Sequence, residues 1–454
     1  MNSYPSYKDS GVEWIGGIPS DWVKTKFKWD IFYQEGPGLR TFQFTESGIR
    51  VICVSNITEK GIDFSTTHTR HISEDEYSEK YRHFTVDDRD ILLSSSGSIG
   101  KVSRYYFDGQ SVILNTSTIR LHSKNRNKVY DDFIPYYLSS EYVQLQLRFL
   151  MTGGVVNNFG PSHLDQLFMY LPTISEQTQI VSFLDTKTQK IDELIEKTEQ
   201  KIKLLKEKRT SLINHCVTKG LNPNVEMKDS GVEWIGEIPR DWDIKKIKYL
   251  KSSKKYSLVD GPFGSNLKTI HYVDDGDVYI IESGFITSGK FQYVRDFKTI
   301  TNEHFETIKR SECNEGDIII SKIGEYYGMC GILPKLDKRT VISGNSVTLT
   351  ISKNHNTKFI HQVIIQHRIN GTFKKEVQQT GQPFISLGVI NNLIIPTPNL
   401  SEQTQIIEYL DEQTQKIDST IEKETQRIEL LKEYRQSLIS EVVTGKVDVR
   451  DWKE

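Results

Sequence analysis

The chain has 454 residues, of which 36% are hydrophobic and 26% charged, with a formal net charge of -2. That size calls for two or three domains of ordinary length. No apolar run approaches the roughly 18 residues that cross a bilayer, and residues 1–11 lack the basic and apolar regions of a secretion signal, so a soluble cytoplasmic protein with no membrane partner is expected. The near-zero net charge excludes the overall basic footprint common in nucleic-acid binders. Charge is uneven, however: Lys+Arg against Asp+Glu is 17 to 17 over residues 23–170 and 21 to 15 over residues 243–396. Cys53, Cys216, Cys313 and Cys330 form no CxxC pair and no Cys/His cluster at zinc spacing, and read as reduced structural thiols.

Taken in order, the chain is two copies of one plan. KDSGVEWIGGIPSDW at residues 8–22 returns as KDSGVEWIGEIPRDW at residues 228–242. Each copy leads into a diverged segment, residues 23–173 and 243–399. Each then ends in a near-repeat that opens ISEQTQI at Ile174 and LSEQTQI at Leu400. Trp14, Trp22, Trp234 and Trp242, flanking an Ile-Pro turn, are expected to strap each diverged segment by packing.

The diverged segments read as α/β domains. Short apolar runs at 49–54, 91–93, 278–281, 318–320 and 347–351 suggest strands, while 132–148 and 359–377 suggest helices. Asp90-Ile-Leu-Leu-Ser94 with Gly97 answers Asp317-Ile-Ile-Ile-Ser321 with Gly324, so the two domains share one fold with different surfaces.

The repeated C-terminal elements carry heptads. Leu184, Thr188, Ile191, Ile195, Thr198, Ile202, Leu205, Arg209 and Leu212 alternate at spacings of four and three, as do Leu410, Thr414, Ile417, Ile421, Glu424, Ile428, Leu431, Arg435 and Leu438. Ser175 and Ser401 suit N-caps, and Gly220 and Gly445 suit the ends. The predicted architecture is thus two α/β domains plus long α-helices forming an antiparallel coiled coil, in a pseudo-twofold internal repeat. Its segments are 1–173, 174–220, 221–399 and 400–454.

Catalytic motifs are not found. Adenine-methyltransferase Asn-Pro-Pro-Tyr, GxGxxG, GxSxG, HExxH and EF-hand patterns are absent from the sequence. Gly284-Phe-Ile-Thr-Ser-Gly289-Lys290-Phe291 places Phe where a phosphate loop needs a hydroxyl, and His68 with His71 lacks a third metal ligand. A non-catalytic binding protein is expected.

Two diverged domains, each followed by a Pro-containing lead into Ser-Glu-Gln-Thr-Gln-Ile (175–180 and 401–406) and a long helix, resemble the specificity subunit of type I restriction-modification systems. Asp260-Gly-Pro-Phe-Gly-Ser-Asn-Leu-Lys268, Gly316-Asp-Ile-Ile-Ile-Ser-Lys322 and Gly381-Gln-Pro-Phe-Ile-Ser386 resemble recurring target-recognition segments; the first domain has Gly36-Pro37-Gly38 in place of the GPFGS loop.

The resemblance implies that each target-recognition domain reads one half of a bipartite, asymmetric site on double-stranded DNA. The helices would set the spacing and dock two methyltransferase subunits, and two motor-nuclease subunits would complete the complex. S-adenosylmethionine, ATP and magnesium would belong to those partners, with no cofactor, metal or catalytic residue in this chain. Candidate DNA contacts are Ser95, Ser96, Ser98, Lys101, Arg104, Asn157 and Asn158 in the first domain. In the second they are Ser265, Asn266, Lys268, Lys322, Tyr326, Tyr327 and Gln382. The alternative is a coiled-coil adaptor that organises a protein assembly without DNA readout.

Overall fold

In the computed structural model, residues 3–453 are described except 14, 59–60, 66–68, 98–99, 152–157 and 377–382. The chain folds as two compact units, residues 1–200 with 424–454 and residues 201–423.

In the first unit, β1 (Ile31–Glu35), β2 (Ile49–Ile52), β3 (Arg70–Ile72), β4 (Ile91–Ser94), β5 (Val102–Arg104), β6 (Val112–Leu114) and β7 (Thr118–Ser123) build two small sheets. One has the order β5-β4-β7-β1 and is antiparallel; the other has the order β6-β2-β3, with β6 and β2 parallel. The strands are short, and the branched residues of β4 (Ile91, Leu92, Leu93) are fully buried because both faces of that strand are covered.

The chain then enters α1 (Ile174–Lys219), and the second unit repeats the strand plan. It holds β8 (Leu258–Asp260), β9 (Val278–Ile281), β10 (Lys298–Ile300), β11 (Ile318–Ser321), β12 (Cys330–Ile332), β13 (Arg339–Ile342) and β14 (Ser346–Leu349), followed by α2 (Leu400–Val443). Its sheets run β12-β11-β14-β8 and β13-β9-β10, the latter extended by a short strand at Glu312–Cys313. Strand for strand the two domains have one topology, as the weak sequence echoes suggested. The echoing aspartates are turn-holders: Asp90 Oδ2 accepts from the Asp87 N–H at 2.9 Å, and Asp317 Oδ2 accepts from the Asn314 N–H at 2.8 Å.

Trp22 and Trp242 are fully buried. The Trp22 indole N–H donates to Glu176 at 3.1 Å, and the Tyr4 hydroxyl donates to the same carboxylate oxygen at 2.6 Å. The packing role expected of the strap tryptophans holds for these two, and Trp234 is half-buried against the second unit's core, edge-on to the His367 ring at 4.8 Å; Trp14 lies outside the described residues.

The Glu-Gln of each SEQTQ motif fixes helix to domain. Gln177, fully buried, accepts from the Tyr130 N–H at 2.8 Å and donates to the Lys128 and Pro172 carbonyls, each at 2.9 Å. Gln403 accepts from the Asn356 N–H at 2.8 Å and donates to the Pro398 carbonyl at 2.8 Å.

The helix starts differ from expectation. Ser175 and Ser401 lie inside the first turn, and the caps are Thr173, whose hydroxyl accepts from the Glu176 N–H, and Asn399, which accepts from the Glu402 N–H. The helices begin earlier because the residues directly after Pro172 and Pro398 already supply a capping side chain. Gly220 and Gly445, both at positive φ, follow their ends as expected.

Within the first unit, Leu184, Ile191 and Ile195 of α1 pack with Leu431, Leu438 and Val442 of α2 in the main core, and Arg435 pairs with Asp192 at 3.0 Å. Within the second, Cys216 and Val217 pack with Ile406 and Leu410, and Arg209 grips Asp418 through two nitrogens at 2.8 and 3.3 Å. No helix among the described residues is long and apolar enough to cross a membrane.

Candidate functional site

In each domain, loops from distant parts of the sequence meet where the strands of the two sheets end. The approach is close enough to dictate composition. A Cβ on Gly36 would lie 2.2 Å from the Asn115 carbonyl oxygen, and one on Gly261 would lie 1.8 Å from that of Ser343. Glycine therefore opens the loop after β1 and after β8 because the turn before β7 and β14 crosses directly over it.

In the first domain these loops enclose a pocket of about 480 Å³ lined by Cys53, Val54, Ser55, Asn56, Arg70, Ser96, Asn115, Thr116 and Ser117. Ser96 pairs across a β-bridge with exposed Asn158, so two candidates from segments some sixty residues apart are brought together. Ser95 is buried behind them, its N–H donating to the Ser117 carbonyl at 2.9 Å and its carbonyl accepting from the Phe159 N–H at 3.0 Å.

Lys101 is exposed. Arg104 is not: its side chain pairs with Asp132 at 2.6 Å and donates to the Arg89 and Asp131 carbonyls, which commits its charge inside the domain. Ser98 and Asn157 lie outside the described residues.

Sequence reasoning missed Arg70, Asn115 and Thr116 at this pocket. Arg70 sits opposite Val51 in the β2–β3 pairing, and its guanidinium lies over the Phe44 ring at 4.7 Å. No local motif marks it, since strand pairing alone carries it to the loops.

The second domain has the same scaffold with other chemistry. Ser265, Asn266 and Lys268 stand exposed on the loop after β8, which is held by the Asn266 carbonyl against the His304 ring at 2.9 Å and by stacking of His271 on His304 at 3.9 Å. Lys322 occupies the position of Ser95, its N–H donating to the Asn345 carbonyl. Its ammonium pairs with Asp260 at 2.7 Å, both side chains mostly buried. Tyr326 is 45% exposed, whereas Tyr327 is half-buried with Arg368 over its ring at 5.2 Å. Gln382 lies outside the described residues.

The tips of the equivalent loops carry the two most exposed large apolar side chains among the described residues, Phe42 at 86% and Ile270 at 82%. Each sits in a short 3₁₀ turn, Thr41–Gln43 and Thr269–His271. The chemical repertoire of both surfaces is hydroxyls, amides, cations and exposed rings on loops, the set that contacts phosphates and base edges.

Comparison with known proteins agrees with this repertoire. A family model described as the type I restriction modification DNA specificity domain matches residues 19–204 and 263–432. The type I restriction enzyme MjaVIII specificity subunit of Methanocaldococcus jannaschii is 26% identical over 383 residues, covering 82% of each chain. Among solved structures, a chain from work on complex assembly and conformational transition of the type I R-M system superposes with a TM-score of 0.67 at 13% identity, covering 95% of this chain and 99% of that one. The HsdS subunit from Thermoanaerobacter tengcongensis gives a TM-score of 0.50 at 13% identity, covering 95% and 98%.

Proposed function

Because this chain belongs to the family of type I restriction-modification DNA specificity domains, we propose that each α/β domain reads one half of a bipartite, asymmetric site on double-stranded DNA. The observation that carries this is one scaffold with two loop chemistries. Where the first domain presents Ser96 and Asn158 around an open pocket, the second presents Ser265, Asn266, Lys268 and Tyr326 beside a closed Lys322–Asp260 pair. Equal readers would give a palindromic site; unequal ones give unequal halves. Ser96, Lys101 and Asn158, with Ser265, Asn266, Lys268 and Tyr326, are the contacts, while Ser95, Arg104, Lys322 and Tyr327 support the loops from behind.

The long helices act as an antiparallel coiled coil that sets the spacing between half-sites. Each unit by itself supports that direction. In the first, Gln179 meets Trp452 while Asp192, further along α1, meets Arg435. In the second, Arg209 meets Asp418 while Val217 packs with Ile406. A helix of about 44 residues rises roughly 66 Å, more than one DNA turn of about 34 Å.

Two methyltransferase subunits dock on the repeated elements and two motor-nuclease subunits complete the assembly. S-adenosylmethionine, ATP and magnesium act in those partners, and this chain supplies sequence recognition without catalysis. With a net charge of -2, the chain alone holds DNA weakly, because phosphate neutralisation supplies most of the affinity. Selection from randomised duplexes with the chain bound to its methyltransferase partner tests the reading. Enrichment of two short motifs at a fixed gap supports it, and no enriched sequence favours the adaptor.

A further inference from the structure

The Arg70 guanidinium over Phe44 in the first domain has a counterpart in the second, and the two differ in how their charge is met. Arg70 faces Val51 in the β2–β3 register and lies over Phe44; Lys298 faces Ile280 in the β9–β10 register, with its ammonium 5.1 Å from the Tyr272 ring centre. Phe44 and Tyr272 each follow the 3₁₀ turn of the loop that carries the exposed tip. The positions are therefore equivalent.

The residue directly after β2 is Cys53, and the residue directly after β9 is Glu282. Glu282 takes up Lys298 at 2.8 Å and Arg295 at 2.7 Å, so the second domain's cation is neutralised within the domain. Cys53 offers no charge, and among the described residues no carboxylate lies within ion-pair distance of Arg70. Arg50, on the neighbouring strand, is by contrast paired with Asp108.

An arginine carries its forked donors in one plane, and the Phe44 ring 4.7 Å from the Arg70 guanidinium carbon restricts where that fork can go. Arg70 borders the 480 Å³ pocket together with Ser96, Asn115 and Thr116, whose hydroxyls and amide leave room for a flat polar edge. The base edge that matches two parallel donors is guanine, through O6 and N7 in the major groove.

We infer that Arg70 reads a guanine in the half-site of the first domain, and that Lys298, closed off by Glu282, reads no base. This rests on the specificity-subunit reading above.

The test uses the full chain co-expressed with a type I methyltransferase subunit and maps adenine methylation in host DNA. The first domain's half is identified as the one unchanged when residues 243–396 are exchanged. That half should contain a G·C pair at which R70A loses discrimination on the order of 10- to 100-fold, with every other position unaltered. R70K should not restore it, and K298A should leave the second half as it was. The inference is overturned if the first half contains no G·C pair. It is also overturned if R70A lowers methylation evenly at all positions and R70K rescues it, the signature of a phosphate contact, or if K298A changes the second half. A wild-type complex that yields no split motif overturns the underlying reading itself.

Discussion

Replacing Gln177 by Leu keeps the side-chain volume and removes the three hydrogen bonds by which this side chain fastens the start of α1 to the first domain. The Tyr130 N–H loses its acceptor, and the Lys128 and Pro172 carbonyls lose their donor, in a site with no exposed surface on Gln177. Each lost bond is worth about 1 kcal/mol net, and the Pro172 carbonyl, which holds the one fully buried bond of the three, adds about 1–3 kcal/mol when left unpaired. Allowing for the apolar burial that Leu gains, about 3 kcal/mol of destabilisation is expected. For a unit of this size that corresponds to a fall in melting temperature of about 6–12 °C.

Thermal melts of the full chain measure the shift, and hydrogen exchange assigns it: residues 128–130 should lose protection while residues 201–423 keep theirs. Thr178→Ala, on the exposed side of the same turn, should stay within about 0.5 kcal/mol. A Q177L melt within about 1 °C of wild type, with unchanged exchange at residues 128–130, would refute the argument that the Glu-Gln motif is a structural clasp.

The second unit should lose stability in acid through His367. Burial lowers its pKa from 6.5 to about 4, with Nε2 2.6 Å from the Ile394 carbonyl oxygen. The unfolded chain takes up a proton near pH 6.5 and the folded one only near pH 4. Stability is thus full above pH 6.5 and falls by up to about 3 kcal/mol between those values; urea titrations from pH 7 to 4 on wild type and H367Q should differ in slope there. The Arg209–Asp418 pair, at 27% and 40% side-chain exposure, should give a coupling of only about 0.5–1 kcal/mol in a double-mutant cycle, discounted for solvent screening. A value above about 2 kcal/mol would mean the pair is more desolvated than its exposure implies.

The plan of the molecule was legible in the sequence because it rests on repetition and heptads. The strap tryptophans, the long helices ending at Gly220 and Gly445, and the shared domain fold all follow from them. The sheet topology was not, since strands of three to six residues give no periodic signal strong enough to fix partners. Helix starts were misread because Ser175 and Ser401 looked like caps, whereas Thr173 and Asn399 fall in the capping geometry.

At the site, motif reading found the loops but not the use of each side chain. Arg104 and Lys322 looked like free cations and are held by Asp132 and Asp260. Arg70, with no carboxylate in ion-pair distance among the described residues, stands in a strand that no motif marks. Pairing with carboxylates far away in sequence decides which cations remain available, and only the fold supplies it.

The central claim is that two domains of one fold read two different halves of one DNA site. Exchange of residues 243–396 for those of a related chain, in cells that also express the methyltransferase partner, followed by genome-wide mapping of adenine methylation, tests it most directly. The account predicts a split motif in which one half changes and the other half and the gap stay fixed. A change in both halves, or methylation with no motif, would contradict it.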